Sequence, residues 1–199
     1  MNRIFSNRVL LTALFLSFFF FPAANFSQTA VADDQSGYSG PRTLPIGAYA
    51  PDISLAEAGK KQITDIEFNR GKKSEKDKAT LLLFWYLECP KCLADIKHIK
   101  RLHDAYKKNV TFITVNVDSE EKREAALNFM KNNKMEDFRN FFEKIEIVGE
   151  NRYFATADSY GVMETPSLFI ISAEGAVKYK AESEIDFDDV EKNIKALIN

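Results

Sequence analysis

A continuous apolar run near the middle of the chain predicts a strand that is buried on both faces. The run occupies residues 80–86 and follows a charged segment at 71–78. Apolar side chains at successive positions, rather than at alternating ones, are typical of a central strand in an α/β sheet. The sheet is therefore predicted to be covered on both sides.

The residues after this run alternate between helical and strand-like patterns. Apolar side chains recur every three or four positions from 92 to 108, which predicts an amphipathic helix. Residues 110–117 are alternating and β-branched, which predicts a second strand. Carboxylates just after Ser119 favour the start of a second helix, which is predicted to end near Asn132.

The C-terminal part of the chain predicts a hairpin and a closing helix. Residues 134–157 are rich in aromatic side chains, and only a short helix at 136–142 is predicted there. Strands at 167–172 and 176–180 flank a turn, and apolar spacing after Asp186 predicts the last helix. The order β-α-β-α, then a β-hairpin and α, predicts one α/β domain with a central mixed β-sheet flanked by helices on both faces.

The N-terminal residues predict an export segment. Two arginines precede a charge-free, largely apolar run at 9–21. This run is shorter than the roughly 20 residues that span a bilayer, and it fits the roughly 7–15 residues of a signal-peptide core. The small triplet at 30–32 offers a cleavage site, so residues 1–32 are predicted to be a signal peptide. Cleavage near Ala24 and an uncleaved N-terminal membrane anchor are the alternatives.

A flexible linker and a single folded domain are predicted after the signal. Residues 33–45 are rich in Gly, Ser, Pro and Gln without apolar periodicity, and the domain is predicted at 46–199. With 45% apolar and 28% charged residues, the chain has enough apolar material for a core. Its formal net charge of −2 gives no electrostatic basis for binding nucleic acid.

The two cysteines of the chain, Cys89 and Cys92, are close together in sequence. A disulfide across so short a loop removes little chain entropy, so a purely structural bridge is the weaker interpretation. A zinc site is a further alternative, but zinc in structural sites takes four ligands. His98 and His103 lie on the same predicted helix and are predicted to be solvated surface residues rather than ligands. No metal is therefore expected.

The cysteine pair follows the predicted buried strand and opens the predicted helix. Free N–H groups and the dipole at a helix N-terminus stabilise an anion, so Cys89 is expected to ionise more readily than a free cysteine. One helical turn brings Cys92 beside Cys89, where it can attack a mixed disulfide. Pro90 suits the first helical turn. Lys91 favours the Cys89 thiolate, whereas Glu88 opposes it.

Two stretches resemble the thioredoxin superfamily. Residues 84–92, FWYLECPKC, are similar to its active-site stretch, which here includes Trp85, and residues 160–171, YGVMETPSLFII, resemble its cis-proline loop and the following strand. A third stretch at 46–55, IGAYAPDISL, is similar to the start of the redoxin branch that contains exported TlpA- and ResA-like thiol-disulfide oxidoreductases and the peroxiredoxins. The resemblance implies a thioredoxin-like fold and a cis bond between Thr165 and Pro166, packed against the cysteines.

The sequence departs from the thioredoxin pattern at three positions. Leu83 stands where thioredoxins have a buried aspartate, Glu88 where they have tryptophan, and Glu164 where the loop usually has glycine. The usual proton acceptor is therefore absent from its place, and Glu88 and Glu164 are either substitutes for it or solvated carboxylates beside the site. We hypothesise that Glu164 or Glu88 handles the proton of Cys92.

Two other functions fit part of the sequence. A peroxiredoxin-like peroxidase fits the stretch at 46–55, but that family has Thr or Ser three residues before its reactive cysteine, and Tyr86 stands there. A Sco-like copper-binding protein or metallochaperone fits soft thiolate ligands. It usually has three residues between its cysteines and a distant histidine, and neither feature is found here.

The predicted function is that of an exported thiol-disulfide oxidoreductase in which Cys89 attacks and Cys92 resolves. No cofactor is expected beyond the dithiol itself. The resemblance implies that the protein is a reductant of protein disulfides. Its implied partners are a membrane electron donor and substrates that are often apocytochrome c or the thiols of copper sites. The expected location is the periplasm or cell envelope of a bacterium. Oxidase and isomerase activities are the alternatives for its direction.

Overall fold

The computed structural model of the chain describes residues 43–60, 62–68, 70–71 and 78–198. The predicted signal peptide at 1–32 and most of the predicted linker lie outside the described residues. Among the residues that are described, none belongs to a helix long and apolar enough to cross a membrane.

Strands and helices alternate along the described chain much as the apolar pattern predicts. The helices are α1 (Pro90–Tyr106), α2 (Arg123–Asn132), α3 (Ala155–Ser159) and α4 (Phe187–Ile198). The strands are β1 (Ile53–Glu57), β2 (Ile63–Ile66), β3 (Ala79–Trp85), β4 (Val110–Asn116), β5 (Arg139–Phe142), β6 (Ile145–Val148), β7 (Asn151–Phe154), β8 (Ser167–Ile171) and β9 (Val177–Glu182).

Within the described residues, seven strands form one mixed sheet in the order β2-β1-β5-β4-β3-β8-β9. β3 is buried at every position, pairs in parallel with β4 and pairs antiparallel with β8. The predicted central strand is thereby confirmed. β6 and β7 form a separate antiparallel hairpin.

Each face of the sheet carries its own apolar core. Leu81, Leu83 and Trp85 pack with apolar residues of α1, α2 and α4 on one face. Leu82 and Phe84 point to the other face, where they pack with residues of α3 and of the segment before β1. Alternate side chains of a strand point to opposite faces, so a strand that is apolar throughout serves two cores. The predicted α/β architecture, with helices on both faces, is confirmed.

The predicted helix at 136–142 is wrong, because Arg139–Phe142 form strand β5. This strand pairs in parallel with β4 and antiparallel with β1. Phe141 packs in the core on one face of the sheet and Phe142 in the core on the other. Consecutive phenylalanines can be buried in this way in a strand, whereas a helix presents one apolar stripe.

The prediction that both histidines are solvated is also corrected. His103 is only 3% exposed, because its ring packs against Phe112 and Phe138 with centroid distances of 5.1 and 4.5 Å. His98 is half-buried and stacks on Phe187 of α4 at 4.7 Å. Both rings therefore take part in packing.

Candidate redox site

The cysteine pair forms a disulfide at the N-terminus of α1. The Sγ atoms of Cys89 and Cys92 are 2.06 Å apart. Cys89 is the N-cap residue, and its Sγ accepts a hydrogen bond from the backbone N–H of Cys92 at 3.0 Å. Pro90 is the first residue of the helix. The buried strand β3 and helix α1 thus place the pair where the sequence predicted it.

The two cysteines differ in exposure. Cys89 retains 4% of its surface and Cys92 none. Cys92 lies in the same apolar core as Leu83, the residue that replaces the thioredoxin aspartate. A protein partner therefore has access to the edge of Cys89, while Cys92 is enclosed.

The loop before β8 lies against the disulfide. The Thr165–Pro166 peptide bond is cis, as the resemblance implies, and the carbonyl oxygen of Thr165 is 3.7 Å from the Sγ of Cys89. Pro166 is buried, and its carbonyl accepts a hydrogen bond from the N–H of Ser183 at 2.9 Å. The cis-proline loop and the disulfide together form one surface.

The charged residues expected to act on the thiols are engaged with other side chains. Glu88 pairs with Lys122 at 2.7 Å, and this hydrogen bond raises the pKa of Lys122. Lys91 pairs with Glu184 at 3.2 Å. Such exposed pairs are weak, so they are readily exchanged for contacts with a partner.

Glu164 lies in the cis-proline loop itself. Its carboxylate accepts a hydrogen bond from the hydroxyl of Ser183, and its carbonyl accepts one from the hydroxyl of Ser167 at 2.6 Å. Trp85 ends β3, is fully buried, and packs against Phe129 of α2 with ring centroids 5.3 Å apart. Glu164 and Trp85 thus lie in the two segments next to the cysteine pair, the cis-proline loop and the end of β3.

Two further acidic residues near the pair were missed by the sequence analysis. Asp95 is half-buried one turn after Cys92, and burial raises the pKa of its carboxyl group, partly offset by the charges of His98 and Lys91. Its position three residues after Cys92 on the predicted helix could have indicated from the sequence that Asp95 lies near the cysteine pair. Asp118 is buried, and its carboxylate accepts hydrogen bonds from the N–H of Leu87 and the side-chain amide of Asn116, both at 2.8 Å.

The described residues contain no group of three or more His, Cys, Asp or Glu side chains placed to hold a metal ion. The chemistry that the arrangement offers is that of the two sulfur atoms.

A mixed sheet, a disulfide at a helix N-terminus and a cis-proline loop beside it define a protein of the thioredoxin fold. Solved structures agree with this. A structure described as thiol:disulfide interchange protein DsbE from Chlorobium tepidum has a TM-score of 0.61 at 24% identity, over 79% of this chain and 100% of that one. A peroxiredoxin-like protein from Aquifex aeolicus has a TM-score of 0.59 at 21% identity, over 79% of this chain and 90% of that one.

Sequence comparison then gives the family. The model of the AhpC/TSA family matches residues 46–180, so the chain belongs to the AhpC/TSA family. The thiol-disulfide oxidoreductase ResA of Bacillus cereus is 28% identical over 168 residues, which is 82% of this chain and 84% of that protein. Fold, disulfide and relatives together identify the chain as a thiol-disulfide oxidoreductase of the thioredoxin fold.

Proposed function

We propose that the chain is an exported reductant of protein disulfides, with Cys89 as the nucleophile and Cys92 as the resolving cysteine. One observation carries this proposal. The Sγ of Cys89 lies at the helix N-cap, accepts the N–H of Cys92, and is 3.7 Å from the carbonyl oxygen of Thr165. The sulfur that the helix N-terminus favours as an anion is also the one that a partner can approach.

The reaction begins with the reduced protein. The Cys89 thiolate attacks one sulfur of a substrate disulfide, a Cys89–substrate disulfide forms, and the other substrate sulfur leaves as a thiolate. The thiolate of Cys92 then attacks Cys89, and the second substrate sulfur leaves. Two electrons pass from the dithiol to the substrate, and the Cys89–Cys92 disulfide remains.

The proton of Cys92 has to be removed before the second attack. We propose Glu88 or Glu164 as the acceptor, since Glu88 directly precedes Cys89, Glu164 directly precedes Thr165 of the cis-proline loop, and both are held by exchangeable contacts with Lys122 and Ser183. The double replacement Glu88→Gln with Glu164→Gln should lower the exchange rate and shift its pH profile. Unchanged rates and an unchanged profile would exclude both residues.

The predicted signal at 1–32 supports export, and the resemblance to exported TlpA- and ResA-like proteins supports the periplasm or cell envelope of a bacterium as the location. There the dithiol is not maintained by the cytosolic glutathione and thioredoxin pools, so a membrane electron donor is required. The resemblance to TlpA- and ResA-like proteins favours the cysteines of apocytochrome c or of copper sites as substrates, and so a role in cytochrome c biogenesis. No cofactor besides the dithiol takes part.

An insulin-reduction assay tests the activity. The wild type should reduce insulin in the presence of dithiothreitol, and Cys89→Ser should be inactive. Cys92→Ser, reduced and then freed of dithiothreitol before insulin is added, should instead accumulate a mixed disulfide with insulin, because the resolving step is lost. If the wild type shows no thiol-dependent reduction, the proposed function is wrong.

The direction of exchange is decided by the equilibrium potential of the pair against glutathione. Potentials of thioredoxin-fold proteins run from about −270 mV for a reductant to about −120 mV for a strong oxidant. A value towards the thioredoxin end supports a reductase. A value towards the other end would make the protein an oxidase.

A peroxidase is the second candidate, because the chain belongs to the AhpC/TSA family and residues 46–55 resemble the start of the redoxin branch that contains the peroxiredoxins. Tyr86, half-buried three residues before Cys89, stands where peroxiredoxins have Thr or Ser, and this departure counts against a peroxidase. Consumption of hydrogen peroxide by the reduced protein separates the two functions. Stoichiometric copper in the purified reduced protein would instead favour a Sco-like function.

A further inference from the structure

A cavity of about 420 Å³ is lined by Thr165 of the cis-proline loop and by Tyr86, three residues before Cys89. It lies between Tyr86 of the site turn, Phe154 at the end of β7, and the residues before the cis-proline, of which Val162 and Met163 are apolar and Glu164 carries a carboxylate at the rim. Met163 is 53% exposed. Exposed apolar side chains around a concavity are typical of a binding surface.

The cavity is continuous with the redox site. Thr165 lines it, and the carbonyl oxygen of the same residue is 3.7 Å from the Sγ of Cys89. A substrate cysteine bonded to Cys89 has to pass this loop. The side chains next to that cysteine are therefore brought to the mouth of the cavity.

The far wall of the cavity is held rigidly. The buried carboxylate of Glu143 accepts hydrogen bonds from the N–H groups of Lys144, Thr156 and Ala157 at 2.8, 3.1 and 2.8 Å. These bonds tie the start of α3 to the end of β5, and Ala157 and Phe154 form part of the wall. A preformed wall lowers the ordering cost of binding.

We propose that this cavity selects substrate disulfides in which a large apolar side chain, preferably aromatic, lies next to the reacting cysteine. The inference rests on the proposed function and adds a substrate class to it. The volume falls in the range of about 300–1,000 Å³ that is usual for ligand pockets. Aromatic side chains gain most from such burial, and Met163 adapts readily to the ring.

Single-turnover oxidation of the reduced protein by peptide disulfides tests the proposal. Two peptides are compared that are identical except for Phe or Ser on both sides of the cysteine. The product is the Cys89–Cys92 disulfide together with two peptide thiols, so no further reductant or oxidant is needed. The wild type should react with the Phe peptide about tenfold faster, which corresponds to about 1.4 kcal/mol.

Two variants locate the preference. Met163→Glu should reduce the Phe/Ser rate ratio to about one, because it replaces an apolar wall of the cavity by a second carboxylate next to Glu164. Ile63→Glu is the matched control, since Ile63 is 61% exposed on β2 at one edge of the sheet, and it should keep the wild-type ratio.

The outcomes separate this inference from the proposed function. Equal rates for the two peptides in the wild type would overturn the inference and leave the reductase intact. A full preference in Met163→Glu would also overturn it, since the preference would then arise elsewhere. No reaction with either peptide would contradict the proposed function itself.

Discussion

Helix α1 carries two aspartates whose pKa values are displaced in opposite directions. Burial raises the pKa of Asp95 above its ordinary value of 3.8. Asp104 lies further along the same helix. Its carboxylate accepts hydrogen bonds from the Lys100 ammonium at 2.7 and 2.9 Å, and these lower its pKa. Two aspartates on one helix thus have pKa values displaced in opposite directions because their surroundings differ.

These displacements predict opposite pH dependences for two matched variants. The folded state holds the Asp95 proton more tightly than the unfolded chain, so this group makes stability fall as pH rises through its raised pKa. Asp95→Asn should therefore gain stability relative to the wild type from acidic to neutral pH. Asp104 stabilises the fold above its ordinary pKa, and that contribution is lost as pH falls through the lowered one, so Asp104→Asn should lose stability at neutral pH.

Urea unfolding of the oxidised proteins from about pH 3 to 7 measures both differences. The two curves of variant minus wild type should diverge with opposite signs. Parallel curves would mean that neither environment distinguishes the ionised from the neutral carboxyl group.

The turn between β3 and α1 is held by the loop that follows β4. The buried carboxylate of Asp118 accepts the N–H of Leu87, two residues before the first cysteine, and the amide of Asn116. A second contact runs from Lys122 to Glu88. The position of the cysteine pair therefore depends on a segment about thirty residues further along the chain.

Replacing this carboxylate should loosen the redox site. Asp118→Ala leaves two donors without their acceptor, which costs about 1–3 kcal/mol for each buried group. Urea unfolding should show the loss, and insulin reduction should slow. Asp118→Asn keeps an acceptor oxygen and should be intermediate. Asp137→Ala, which removes an exposed carboxylate, is the control and should behave as the wild type.

Helix α3 and the β6–β7 hairpin depend in a similar way on Glu143. Glu143→Ala should destabilise the protein more than Glu143→Gln, because alanine leaves three backbone donors unsatisfied, whereas glutamine retains one acceptor oxygen. Denaturant midpoints at pH 7 give the comparison. Equal losses for the two variants would show that the donors find other acceptors.

At the scale of the folded domain, over the residues that the structure describes, stability comes from a sheet with a core on each face. Phe84 is fully buried in one of these cores, with its ring 5.6 Å from Tyr160 and 6.1 Å from Phe169. Leu83, its neighbour in sequence, belongs to the other core, beside the cysteines. The strand that carries the redox site is thus anchored from both sides.

Truncation of Phe84 tests the contribution of the core that lies away from the cysteines. Phe84→Ala should cost about 3–5 kcal/mol, because it leaves a cavity beside the rings of Tyr160 and Phe169. Ile63→Ala, at an exposed position, should stay within about 0.5 kcal/mol of the wild type. Guanidinium unfolding of the oxidised proteins gives both values, and a small effect of Phe84→Ala would mean that the core collapses into the space.

The elements that the sequence predicted are those with a strong local pattern. Residues 80–86 show a run that is apolar at successive positions, and α1 and α4 show helical spacing. Strand β5 lacks such a signal, since four residues with two adjacent phenylalanines fit either structure. Its assignment depends on pairing with β4 and β1, which are distant in sequence.

For the site, the motif alone placed both cysteines at the start of a helix, because a strand-to-helix junction and one-turn spacing are properties of neighbouring residues, whereas the cis-proline was implied by the resemblance to the thioredoxin superfamily. The burial of His103, the roles of Asp95 and Asp118, and the cavity at Met163 were decided only by the tertiary structure. Burial, hydrogen-bond partners and concave shape are set by side chains from separate elements, and no local pattern along a chain specifies which of these will meet.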